Sequence, residues 1–419
     1  NYSCINFCFD NGLIFMSQVS LLIPIFGLYF NRYDGNSILY TLIVLCGDIF
    51  IRLLKMVIVP LIFTSIVIGV SSIKNRTKIG RLGIKTFSYY VMTSLIAILI
   101  GLFLANTIQP GIGATTIESV EAFDTNKLTT STSILDILKR MIPINPFKAF
   151  ADGDMLGTIF FALFFGIILG SVDSKRSSVI LDLINSFYTI IMKMTQVIIK
   201  LAPIGVLGLI TKAISNMGLS IFRELGLYAL TIAAGLSIHL LIVLPIILFI
   251  FVRVNPLVHF KAIGSAMVTA FSTSSSSATL PVTMGCVKKN VKASDEVTSF
   301  VLPMGATINM DGTALYECAG VLFIAQALGI PLDSSQQFVV VITALLASIG
   351  AAGIPSAGLV MLFIVTDAVG LSSDAVAIWV GSMLAIDRPL DMFRTMVNIS
   401  SDSVGAAVIA KSEGEDLYS

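Results

Sequence analysis

Residues 348–358 read Ser-Ile-Gly-Ala-Ala-Gly-Ile-Pro-Ser-Ala-Gly, and apolar sequence surrounds them on both sides. Glycine lets a backbone approach a ligand closely. A half-helix starting near Pro355 would aim its positive dipole end and free N–H groups at an anion. Small-residue helix packing accounts for the glycines, but not for Pro355 and the serines together. Upstream, Ser274-Ser275-Ser276-Ser277-Ala278-Thr279-Leu280-Pro281 interrupts another apolar stretch. Taken alone this reads as an ordinary serine-rich loop; the mirrored interruption at 348–358 argues against that. At membrane depth, freed backbone groups survive only where protein or a water-filled cavity receives them. The pair therefore predicts two re-entrant hairpins with opposed tips, each followed by a polar-interrupted helix, as in an inverted repeat around a midplane site.

The surrounding chain fixes the solvent as lipid. Hydrophobic residues make up 56% and charged residues 12%, with a mean hydropathy of +0.93, far from soluble usage. Apolar runs near 12–30, 41–72, 80–107, 155–171, 177–213 and 219–252 read as helices, and ~20 helical residues cross a hydrocarbon core. Lys74, Arg76, Lys78, Arg81 and Lys85 mark a cytoplasmic connector, as do Lys175/Arg176, Arg253/Lys261 and Lys288/Lys289/Lys292. Glu118, Glu121 and Asp124 mark an outer one, as do the segments around Asp333 and Asp374. These signs alternate only if the stretches around Ser274 and Ala351 enter and leave on one side. The expectation is a multi-pass integral protein of the cell (inner) membrane. A net charge of +1 offers nucleic acid no basic surface. His239 and His259 read as packing or interfacial residues. Cys4, Cys8, Cys46, Cys286 and Cys318 read as small apolar residues, too scattered for a metal or disulfide framework. Asn1 in place of Met points to a trimmed start, and the leading segment lacks the cationic flank of a signal peptide.

Between the hairpins lies Asn309-Met310-Asp311-Gly312-Thr313, a poor helix and a good unwound turn. Its carbonyls and Asp311 are hard oxygen ligands of the kind that hold Na⁺ at a broken helix; the apolar flanks argue against a plain surface turn. In the final span, positions 387, 391, 394, 398 and 402 recur at helical spacing and make one polar stripe. Charges inside a membrane mark substrate or ion routes, structural salt bridges being the bland alternative. Carboxylates at 311, 317, 387, 391 and 402 against arginines at 388 and 394 leave a formal charge of −3. A low-dielectric interior does not hold such an excess, so bound cations or protons must neutralise it. An anion channel would explain positive hairpin tips but not five carboxylates. An intramembrane hydrolase would need a nucleophile with a His or Lys base, or aspartates paired on two facing helices, and Ser275 has no such candidate nearby.

Over nearly its whole length the chain resembles the dicarboxylate/amino acid:cation symporter family, which includes archaeal aspartate transporters and animal excitatory amino acid transporters. The resemblance is carried by Ser274–Pro281, Asn309–Thr313, Ser348–Gly358 and Asp387–Asp402, with Arg52-Leu53-Leu54-Lys55-Met56 and Asn145-Pro146-Phe147 in the first half. It implies an all-α membrane protein of about eight transmembrane helices plus two re-entrant helical hairpins, built as inverted repeats and moving as an elevator. It implies a homotrimer, with scaffold helices in 1–79 and 109–216. A transport domain would comprise 80–108 and 217–419, with hairpins at 256–290 and 334–368. No cofactor is implied; the small-molecule partner is an acidic amino acid, glutamate or aspartate, with Na⁺ as coupling ion.

Carried over residue by residue, Arg394 would pair with the substrate side-chain carboxylate and Asp391 with its α-amino group. Thr395, Asn398, Thr313 and backbone from Ser275, Ser276 and Gly353 would complete the substrate site. Sodium ligands would be Gly305, Asn309, Asn398 and Asp402 at one site, and Thr307, Ser348, Ile349 and Ala351 at a second. Tyr90, Thr93, Ser94, Asn309 and Asp311 would make a third. Two departures stand out. Where the family keeps a second arginine, this chain has Ser274 and Met392, so Arg388 is expected to replace it as the partner of Asp391. Glu317 matches the animal branch, where this position is implicated in proton coupling, and adds a proton to the expected coupling ions. The alternatives are a C4-dicarboxylate carrier, a neutral amino acid carrier and a purely proton-coupled glutamate symporter. Arg394 disfavours a neutral side chain, and Asp391 a substrate without an amino group. Asp402 favours Na⁺, since proton-driven relatives tend to lack that carboxylate.

Overall fold

The computed structural model describes residues 38–71, 77–113, 142–152, 155–172, 174–217, 221–350, 357–371 and 373–418, and every regular element among them is helical. The helix expected at 12–30, most of the acidic connector and the second hairpin tip lie outside the described residues. The first half holds α1 (Ile38–Ser71), α2 (Thr77–Ile108), α3 (Pro146–Asp152), α4 (Met155–Ser171), α5 (Ser174–Lys200) and α6 (Ala202–Met217). Asn145 caps α3 by accepting from Phe147 N at 3.0 Å and Lys148 N at 3.2 Å, with Pro146 in the first turn, where its missing N–H costs nothing.

The single helix expected over 177–213 is two helices, bent by 48° between α5 and α6. Pro203 explains the break: it has no N–H to donate, and its ring clashes with the preceding turn. The long helix α7 (Ile221–Val252) stays continuous through Pro245 by widening into π turns at His239–Val243 and Leu248–Val252. By length and composition, Arg81–Ile108 and Ile221–Val252 are each long and apolar enough to cross a membrane, and the bent α5–α6 pair makes a third.

In the second half, α8 (Pro256–Ala262) and α9 (Gly264–Thr273) lead to the first hairpin tip, and α10 (Ser276–Cys286) returns against α9. The chain reverses at Ser274, left-handed at φ 50°, and at Ser275, which is extended. Next come α11 (Asp295–Ile308) and α12 (Asp311–Ala327), separated by non-helical Asn309 and Met310; the unwound turn expected over Asn309–Thr313 is confined to these two residues, since Asp311, Gly312 and Thr313 already form the first turn of α12. The second hairpin pairs α13 (Ser334–Gly350) with α14 (Ala357–Ala368), and α15 (Ser373–Ser412) closes the fold.

Every residue of α12 from Asp311 to Ala325 is buried, so this helix forms a central post with no solvent or lipid face. Along it runs α2, which approaches so closely that a Cβ on Gly101 would stand 2.8 Å from the Leu315 carbonyl. The last helix, α15, packs on α6, α7, α9, α11, α12 and α14, while α1 packs on α4, α5 and α6. Beyond α15 a short strap ties the bases of other elements together. Glu413 pairs with Arg81 and accepts from Lys85 Nζ at 2.7 Å, and Glu415 accepts from Ser294 N and Oγ at 2.8 and 2.6 Å. Tyr418 OH sits 2.6 Å from His259 Nδ1. The Lys85 hydrogen bond, with Arg81 beside it, holds the Glu413 carboxyl below the usual carboxylate range.

Candidate functional site

The break between α11 and α12 gathers the first group of candidate residues. Asp311 opens α12 fully buried and accepts from Ser94 Oγ of α2 and Ser401 Oγ of α15, both at 2.6 Å. Asn309, also buried, donates from Nδ2 to Asp402 Oδ1 at 2.9 Å and to Ser401 Oγ at 3.1 Å; its Oδ1 faces Thr93 Oγ1 at 3.5 Å. Gly305 lies against Asp402 and the Tyr90 hydroxyl, so closely that a Cβ there would collide with both. Tyr90 OH itself donates to Val301 O at 2.8 Å. One turn along α15, Asn398 Oδ1 accepts from Gly312 N at 2.8 Å and its Nδ2 donates to Thr313 Oγ1 at 3.3 Å. The fold thus brings Tyr90, Thr93, Ser94, Gly305, Asn309, Asp311, Asn398 and Asp402 into one oxygen-rich cluster, donor chemistry that suits a hard cation.

The remaining expected cation ligands are placed differently. Thr307 is exposed and bonds back to Pro303 O and Met304 O, while Ser348 donates to Leu345 O of its own helix. These residues and Ile349 sit on α11 and α13, which pack on each other. Ala351 and Gly353 lie outside the described residues.

The second group centres on Arg394, 1% exposed. Its Nη2 is 2.8 Å from Asp391 Oδ1 and 3.1 Å from Asp387 Oδ1, and its guanidinium carbon lies 3.8 Å from the centre of the Tyr316 ring. Stacking and two carboxylates suit a planar delocalised cation better than an ammonium. Nε and Nη1 have no partner among the described residues. The far oxygen of Asp391 faces Arg388 Nη1 at 3.9 Å, with Arg388 27% exposed. Thr395 Oγ1 donates to Asp391 O at 2.8 Å, fixing that turn of α15. At the first hairpin tip, Ser275 caps α10 by accepting from Ala278 N, and Ser276 is buried beside it. Glu317 lies fully buried two turns into α12, with neither carboxyl oxygen hydrogen-bonded among the described residues.

Several contributors escape a sequence reading. Ser401 lies two helical turns after Arg394, so the stripe's own periodicity could have found it. Tyr316 and Gly358 flank Arg394, Gly358 so tightly that a Cβ there would stand 2.9 Å from Nη1. His239, expected to serve packing, places Nε2 3.0 Å from Asp311 Oδ2, a contact that no local signal announces.

The sodium:dicarboxylate symporter family profile matches residues 25–412. Excitatory amino acid transporter 3 of Mus musculus is 37% identical over 420 residues, covering 88% of this chain and 79% of that protein. Excitatory amino acid transporter 2 of Homo sapiens is 36% identical over 436 residues, with 90% and 75% covered. Excitatory amino acid transporter 5 of Homo sapiens is 32% identical over 470 residues, with 96% and 82% covered. With the broken helix, the paired hairpins and the buried stripe in place, these matches make the chain an integral membrane protein of the sodium:dicarboxylate symporter family.

Proposed function

We propose that this protein is a secondary symporter that carries an acidic amino acid, glutamate or aspartate, across the membrane together with Na⁺ and a proton. The observation that carries this reading is the meeting of two unlike groups on α15. A fully buried guanidinium with two nitrogens to offer stands a few turns from a cluster built of carboxylate, amide and hydroxyl oxygens. The relatives' names, transporters of excitatory amino acids, agree with such a cargo.

On this reading the substrate side-chain carboxylate takes Nη1 and Nε of Arg394, each charge-assisted bond contributing ~1.5–3 kcal/mol. The α-amino group takes an oxygen of Asp391, whose charge Arg388 helps to balance. Thr395, Asn398, Thr313 and the backbone at Ser275, Ser276 and Gly353 hold the rest. With Glu317 set aside as the proton carrier, four buried carboxylates, Asp311, Asp387, Asp391 and Asp402, stand against one fully buried arginine. An incoming anion deepens that excess, so cations must enter with it. Asp311, Asn309 and Asp402 supply the oxygens for Na⁺, with Thr307, Ser348, Ile349 and Ala351 as a further set. Glu317, fully buried with neither carboxyl oxygen hydrogen-bonded among the described residues, carries the proton.

Transport proceeds as an elevator: α2, α7 and the two hairpin–helix units move together against α1, α4, α5 and α6. Three copies assemble through the latter group, whose exposed apolar residues include Val179, Leu183, Phe187, Ile190 and Val197. The test is uptake of labelled aspartate, glutamate and succinate into proteoliposomes, with Na⁺ and pH gradients imposed separately. Uptake of the two amino acids, driven by inward Na⁺ and strengthened by an acidic outside, is expected. Transport of succinate alone, or of none of the three, overturns the reading.

A further inference from the structure

We infer that His239 is a positioning residue for Asp311, a rigid donor that fixes the carboxylate in the orientation needed to hold a coupling cation. The inference rests on the proposed cation role of Asp311. Three elements converge on that carboxylate: Ser94 from α2 on Oδ1, with Ser401 from α15 and His239 from α7 on Oδ2. The two hydroxyls are rotors that can swing away when a cation competes for their oxygens, whereas an imidazole presents its N–H in a fixed plane. Groups that hydrogen-bond to an ion's ligands set the ligands' orientation and basicity, and their loss typically weakens the ion by ~10–100-fold.

His239 and Asp311 are both 0% exposed, so water does not stand in for the bond. A carboxylate oxygen accepts, so Nε2 carries the hydrogen. Nδ1 is buried with no partner among the described residues. A side chain kept for packing alone would not carry an unsatisfied nitrogen into such a place, since that costs stability an apolar residue would not lose. The backbone agrees with this role. His239 is the first residue of a π turn, the local widening often found at functional sites, and the turn packs on α15, which contributes Ser401.

Purified protein in detergent is titrated with NaCl at constant ionic strength, using choline as replacement, and the melting temperature is followed. The Na⁺ concentration giving half of the stabilising shift is the readout. H239A and H239F are expected to raise it about tenfold. H239Q, whose amide N–H can reach the same oxygen, returns it toward the wild-type value. The inference is overturned if H239A melts lower at every Na⁺ concentration with half-saturation unchanged, or if H239Q is no better than H239F. A wild-type protein with no Na⁺-dependent shift, or a shift that D311N leaves intact, overturns instead the reading of Asp311 as a cation ligand, and this inference with it.

Discussion

Arg394 is held on one side and open on the other. Nη2 engages Asp391 and Asp387, Tyr316 covers a face, and Nη1 points to Gly358, whose missing side chain leaves room beside it. Gly358→Ala should therefore push the guanidinium off its position and raise the KM for an acidic amino acid about tenfold, the cost of modest overpacking, with expression unchanged. An unaltered KM in proteoliposome uptake would remove Gly358 from the site. Arg388 makes a looser claim at 3.9 Å from Asp391. Arg388→Met removes that second cation and should raise the KM for an acidic amino acid several-fold, whereas Arg388→Lys should keep it near the wild-type value; equal behaviour of the two variants would mean that the pairing is not functional. For Glu317, Gln keeps shape and neutrality but cannot release a proton. Glu317→Gln should flatten the pH dependence of uptake while leaving its Na⁺ dependence, and a pH profile like that of the wild type would exclude Glu317 from coupling. At this scale the stripe of Asp387, Asp391, Arg394, Asn398 and Asp402 was readable because helical periodicity is local. Of the partners of Asp311, Ser94 was named only through the resemblance, Ser401 was open to the same periodicity, and His239, far away in sequence, meets Asp311 only through packing.

The elements that chemistry punctuates are the ones the sequence announces. The Asn-x-Asp-Gly run breaks the helix at Asn309-Met310, inside the stretch expected to unwind, though Asp311 to Thr313 already turn as α12. The π turns in α7 and the bend between α5 and α6 were not anticipated, since both are decided by how a proline's missing hydrogen bond is accommodated. The first hairpin shows how a local constraint serves the site. Ser274 adopts φ 50°, which costs a non-glycine residue ~1–2 kcal/mol, and this lets Ser275 turn and cap α10. Ser274→Gly should relieve that strain and raise the melting temperature or leave it in place. Ser274→Val adds a β-branch to a left-handed position and should lower both melting temperature and uptake. Equal behaviour of the two variants would mean the tip does not depend on that backbone conformation.

Across the whole molecule, the helices divide by what they pack on. α1 is surrounded by α4, α5 and α6, while α2, α7 and the hairpin–helix units enclose the central post α12 and carry the site residues. The two groups touch where α15 packs on α6, with Gly381 against Leu209, and where α13 meets α1; at the second place Ser65 Oγ donates to Gly350 O at 2.9 Å, at the last described residue before the second hairpin tip. One hydrogen bond across such a boundary is worth only ~1 kcal/mol, enough to favour one position without preventing movement. A covalent link at the same point would prevent it. With the five native cysteines replaced, Ser65→Cys and Gly350→Cys bridged by Hg²⁺ should abolish substrate uptake, and a thiol reagent that strips the mercury should restore it. Either cysteine alone should transport with or without mercury, and the Cβ at position 350 has room if Ile66, 3.2 Å away, yields slightly. Binding of acidic substrate to the bridged protein should persist, because Arg394 and Asp391 both lie on α15, within the group proposed to move. Full uptake by completely bridged protein would mean that the site reaches both sides of the membrane without α13 leaving α1, and the elevator would have to give way to a gate at the hairpin tips.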